Sequence, residues 1–220
     1  MTLILAQKYD QGIVIASDML RVNLDNESNN VGGSNDKILK IQILHKGIGI
    51  AVSGLGSLSD SCKMAIQSIF KAKSEASFDE VKSCAIDYFK FAQQQFSTYA
   101  PEHSAGMSFL LFGFDENGTN VMFHYDSRTE FNEVVLESHV GFGSGMDKAI
   151  NLLENIELND PNNSESIGNN FIHVIRETAR LDSTVGENAH VVILDKEKWF
   201  EMAMNEKDEF LIKPRSFSML

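Results

Sequence analysis

The chain has 220 residues, 43% of them apolar, enough for a sizeable buried core in one large domain. A formal net charge of −12 and the lack of a basic cluster argue against a nucleic-acid partner or an anionic membrane surface. No apolar run approaches the roughly 20 residues that span a bilayer, and the N-terminus lacks a secretory signal, so a cytoplasmic protein is expected.

In chain order, Leu3 to Gln7 and Gly12 to Ser17 read as a hairpin of Ile- and Val-rich strands, with Asp18 closing the second. The polar stretch Asn23 to Asp36 reads as a loop. Lys37 to Leu44 and Gly47 to Ser53 form a second strand pair around His45-Lys46. The apolar period then changes from two to 3.6. Leu58, Cys62, Ala65, Ile66, Ile69 and Phe70 make one helical stripe, and Val81, Cys84, Ala85, Tyr88, Phe89, Ala92 and Phe96 another. Ser77 and Glu80 have the spacing of a capping box. Cys62 and Cys84 fall on those stripes and read as reduced core residues.

Strand character returns at Met107 to Asp115, Thr119 to Asp126 and Phe131 to His139, the first two joined by a turn at Asn117-Gly118. Gly141 to Gly145 opens a third helix, and a fourth runs from about Ile167 to Leu181. Ala189 to Asp195 and Trp199 to Met204 read as closing strands, leaving a tail over about 205–220. Segregated runs of strands and helix pairs indicate an α+β fold, here a four-layer αββα sandwich. The six histidines show no paired ligand spacing, and the glycine-rich GFGSG lacks the pattern of a nucleotide loop, so neither a metal nor a cofactor is expected.

Several segments in order then resemble one family. They are Thr2 opening the first strand, Asp18 in IASD, Lys37 opening the strand in DKILKI, Gly54 in IAVSG, Ser144 in GSG and Asp182 in LDS. Together they are similar to proteasome β-type subunits, members of the N-terminal nucleophile hydrolases, over residues 2 to about 195, with bacterial or archaeal homologues the nearest in character. The resemblance implies a threonine-type peptidase acting on peptide or unfolded protein. It further implies a homo-oligomeric ring, and an ATPase as the kind of partner such rings take.

The residues fit that chemistry. A threonine hydroxyl needs a base, and a free α-amine with a pKa near 7.7–8.0 can be one at neutral pH. The amine is available once Met1 is trimmed, and with Thr2 directly behind Met1 no propeptide is expected. The resemblance puts Lys37 beside Thr2 with Asp18 paired to it, Gly54 at the oxyanion, and Ser144 and Asp182 in support of the amine. Two departures stand out. Val185 occupies the position of a usual serine, and Leu20 that of a usual arginine, with Arg21 one place later. Two alternatives remain: a non-catalytic structural subunit, and a transpeptidase or amidohydrolase using the same Thr2 ester.

Overall fold

The structure is a computed structural model and describes residues 2–24, 31–35, 37–99, 106–156 and 160–219. Met1, whose removal the sequence reading requires, lies outside the described residues. The strands are β1 (Leu3–Tyr9), β2 (Gly12–Asp18), β3 (Arg21–Leu24), β4 (Val31–Asn35), β5 (Ile41–His45) and β6 (Ile48–Gly54). Helices α1 (Gly56–Lys71) and α2 (Phe78–Tyr99) follow, then β7 (Met107–Phe114), β8 (Asn120–Asp126), β9 (Val134–Val135) and β10 (His139–Gly143). Helices α3 (Met146–Asn155) and α4 (Ser164–Leu181) precede β11 (Ala189–Asp195), β12 (Lys198–Met204) and β13 (Phe210–Ser218).

The strands form a six-stranded antiparallel sheet, β10-β1-β2-β11-β12-β13, a five-stranded one, β5-β6-β7-β8-β9, and the separate pair β3-β4. Period-two alternation explains the layering. From β1 and β2, Ile4, Ala6, Ile13 and Ile15 join Ala51, Leu110 and Phe112 of the other sheet in the middle core. Their neighbours Leu3, Leu5, Val14 and Ala16 point the other way, onto Phe171, Val174 and Ile175 of α4 and Ala149 of α3. In the five-stranded sheet, Ile50, Val52, Phe109 and Leu111 face outward onto Ile66 and Phe70 of α1 and Phe89 of α2. Both faces of each sheet are thus covered, which is why the central strands are near-continuous apolar runs. The order is helices, sheet, sheet, helices, the αββα sandwich expected.

Local chemistry sets the element ends. At α2, Ser77 Oγ accepts the Glu80 amide while Glu80 Oε2 accepts the Ser77 amide, completing the capping box. Between β7 and β8, Asp115 Oδ1 accepts the amides of Asn117 and Thr119, with Gly118 at φ +72°. Cys62 and Cys84 are free thiols, and burial pushes Cys62 up to about 11, so it stays protonated at neutral pH.

Three expectations are corrected. The segment Phe131 to His139 is not one strand: Asp126 caps a turn at Ser127–Thr129, and Glu130 and Phe131 have φ of +56° and +57°. Those left-handed residues turn the chain out of the sheet, and only Val134–Val135 re-pairs with β8. The loop over 23–36 instead carries parts of the paired strands β3 and β4, with 25–30 and 36 outside the described residues. The expected tail holds β13, paired to β12 at the sheet edge and secured by Arg215 on Glu201 and by Phe217 stacked on Trp199.

Candidate active site

Thr2, immediately before β1, lies close to the N-terminus of α1. Thr2 is 4% exposed and lines a cleft of about 90 Å³ with Leu20, Arg21, Lys40, Ser53 and Gly54 among its walls. The Thr2 carbonyl accepts the Ser144 amide at 2.6 Å. A Cβ on Gly143 would sit 1.8 Å from that same carbonyl oxygen, and Gly143 has φ +97°, so only glycine lets the turn close on Thr2.

Asp18 is fully buried at the end of β2. Its Oδ1 accepts the Leu3 amide at 2.8 Å and Lys40 Nζ at 2.6 Å; its Oδ2 accepts the amides of Leu20 at 3.2 Å and Gly186 at 3.1 Å. Four donors meet a carboxylate with about four acceptor sites, which is what lets a charge remain in the interior. The Leu3 bond also ties Asp18 to the residue next to Thr2, and the Gly186 bond to the loop after α4.

The buried cation is Lys40, 4% exposed, and this corrects the expectation placed on Lys37. Lys37 is exposed, whereas Lys40 both pairs with Asp18 and lines the cleft with Thr2. The hairpin explains the difference. Counting back from the turn at Gly47, φ +65°, Ile41 lies opposite Ala51, and Val52 donates its amide to the Lys40 carbonyl at 3.0 Å. Lys40 is therefore level with Val52, two residues before Gly54, and Lys37 lies three residues further back in the chain. That register was the available signal. Burial pulls the Lys40 ammonium below the usual lysine range, against the attraction of Asp18, which holds it up.

Gly54 ends β6 with φ +97°, and a Cβ there would meet the Gly106 carbonyl oxygen at 2.1 Å. The glycine is required at this bend, which delivers the chain directly into α1 at Gly56. Ser144 lies in the turn between β10 and α3, where the helix N-cap is Gly145, without a side-chain cap, rather than Ser144.

Asp182 C-caps α4 in the neighbouring loop. Its Oδ1 accepts the Thr184 hydroxyl at 2.6 Å and the Thr184 amide at 3.0 Å, and these bonds hold the carboxyl below the usual range. The loop abuts the turn: a Cβ on Gly145 would be 3.0 Å from Val185 Cγ2 and 3.6 Å from Asp182 Oδ2. Val185 is 3% exposed and contributes methyls to the core where a hydroxyl was anticipated from the resemblance.

Thr2, Lys40 and Gly54 thus line one cleft, Asp18 holds Lys40 from behind, the Ser144 turn bonds the Thr2 carbonyl, and the Asp182 loop packs on that turn, while Lys37 is outside. A family model described as Proteasome subunit matches residues 2–194. No curated protein matches the chain. The fold and the extent of that match place the chain in the proteasome subunit family.

Proposed function

We propose that the chain is an N-terminal threonine peptidase of the proteasome β type, with Thr2 as nucleophile once Met1 is removed. The observation that supports this most directly is the buried Asp18–Lys40 pair in the wall of the cleft that Thr2 lines. A buried cation held by a carboxylate in the wall of such a cleft can stabilise the negative charge that develops on a hydroxyl nucleophile while the α-amine takes its proton.

In this reading Thr2 Oγ1 bonds to the substrate carbonyl carbon as its proton passes to the Thr2 α-amine. Lys40 favours the developing alkoxide by its charge, and Asp18 orients Lys40. The tetrahedral oxyanion accepts a hydrogen bond from the Gly54 amide, next to the positive end of α1. The C–N bond then breaks, and the leaving amine takes the proton from the α-ammonium. Water, deprotonated by the same amine, attacks the Thr2 ester carbonyl; the C–Oγ1 bond breaks, the acid leaves, and the α-ammonium returns its proton to Thr2 Oγ1. Asp182 and Ser144 hold the turn and loop around the amine. The substrate is peptide or unfolded protein, and ring assembly in the manner of the family would enclose the site.

Intact mass and peptidase assays test the reading together. The active protein should lack one methionine residue, and Thr2→Ala should abolish hydrolysis of fluorogenic peptides. Hydrolysis undiminished in Thr2→Ala would overturn it. One observation favours a non-catalytic ring subunit instead: the buried Val185 at a position where the family resemblance calls for a hydroxyl. Retained Met1 with no hydrolysis would select that reading.

A further inference from the structure

The cleft beside Thr2 is electrostatically one-sided. Helix α1 spans 16 residues and starts at Gly56 without a side-chain cap or an acidic residue in its first turn. Its first backbone bond is donated by Ser59 to the Leu55 carbonyl, so the amides of residues 56–58 have no carbonyl one turn earlier to bond. Gly56 and Ser57 line the cleft. Arg21 lies across them: a Cβ on Gly56 would be 2.8 Å from its Nε.

The one carboxylate in the lining besides this end of the helix is Asp60, and it is already engaged. Its Oδ2 pairs with Arg21 Nη2 and its Oδ1 lies 3.0 Å from Lys63 Nζ, so a single negative charge faces two cations. It is not available to anchor a basic side chain. Ser59, 1% exposed, also lines the cleft, and its Oγ has no hydrogen-bond partner among the described residues. An unpartnered buried hydroxyl and an uncapped helix N-terminus converge on one small space, beside a guanidinium whose one carboxylate partner, Asp60, is shared with Lys63, and this excess of donors suits an anion with several acceptor lone pairs.

Resting on the reading of Thr2 as nucleophile, we infer that this cleft receives the substrate side chain on the acyl side of the scissile bond and selects a short carboxylate, so that cleavage follows aspartate. Aspartate places its oxygens among the Gly56 and Ser57 amides, the Arg21 guanidinium and Ser59 Oγ. Lysine would bring a further cation toward Arg21 and Lys40, which line the cleft.

Product binding tests this without requiring turnover. Acetylated tetrapeptides that differ only in a C-terminal Asp, Asn, Leu or Lys are titrated calorimetrically into the full-length Thr2→Ala variant. The shared terminal carboxylate cancels between them. The Asp peptide is expected to bind at least about tenfold more tightly than the Asn, Leu or Lys peptides. Adding Arg21→Gln should erase that preference and Arg21→Lys should retain part of it. Equal or tighter binding of the Leu or Lys peptide, no binding of any peptide, or a preference untouched by Arg21→Gln would overturn the inference. The wild-type protein is treated in parallel with a peptide epoxyketone. An adduct on Thr2 without an aspartate preference sinks the subsite alone, and an aspartate preference without an adduct sinks the peptidase reading alone.

Discussion

Lys40 Nζ lies 2.6 Å from Asp18 Oδ1, with the lysine side chain 6% exposed and the aspartate side chain fully buried. Two charges are held in the interior beside the first residue of the fold, and neither adds to the packing of the three apolar cores. Removing one partner leaves the other uncompensated, which costs about 3–5 kcal/mol for a buried pair.

Lys40→Met should therefore do two things. It should lower kcat/KM by about a hundredfold or more, the scale of losing one preorganised electrostatic group at a transition state. It should also lower the melting temperature, because Asp18 loses its cation. Lys37→Met should change neither. Steady-state kinetics and calorimetry on both variants check this, and equal effects from the two would contradict the geometry.

Val185→Ser separates the catalytic from the structural reading. Losing the buried methyls should cost about 1–2 kcal/mol of stability. If a hydroxyl in the Asp182 loop supports the Thr2 amine, one added hydrogen bond worth about 1 kcal/mol corresponds to roughly a fivefold gain in kcat. A less stable but faster variant is expected. A variant that loses stability with no gain in rate would show that the loop does not serve the amine.

Acid stability should depend on Glu201. Burial acts to raise this carboxyl, but hydrogen bonds from His190 at 2.9 Å and from Arg215 at 2.6 Å outweigh it and hold it below its ordinary value of 4.5. A folded-state value below the unfolded one gives stability that is complete above about pH 4.5 and lost as pH falls through the lower, folded value. Glu201→Gln should thus be destabilised at pH 7, by about 2 kcal/mol given that Arg215 is half exposed. The gap to wild type should close as pH drops below 4.5. Denaturant melts between pH 7 and 3 measure it, and a gap that widens toward acid would contradict the assignment.

The layers were legible in the sequence because both-face burial and helical stripes leave strong periodic patterns. Leu3 to Leu5, Ile13 to Ala16 and Phe109 to Phe112 announce strands whatever their partners. The capping box at Ser77 and Glu80 is likewise a local signal. Lys37 and Lys40 could not be told apart locally, since both stand in one Lys-Ile-Leu-Lys run; the distinction lies in the register across the Gly47 turn. The strand β13 was hidden for a different reason. Its residues are mostly exposed, and Pro214 within it is tolerated at a sheet edge, so FLIKPRSFS reads as a polar tail until β12 is there to pair with it. Arg21 as a wall of the cleft was invisible for a similar reason, since its partner Asp60 is 39 positions away in sequence.

The most direct test is to treat the purified protein with a peptide epoxyketone, which captures a hydroxyl and an amine of one residue together, and to map the adduct by mass spectrometry. A protein lacking Met1 and carrying the whole inhibitor mass on Thr2, with no labelling in Lys40→Met on the same timescale, is the predicted result. A trimmed N-terminus that stays unlabelled, or label on any other residue, would contradict the account.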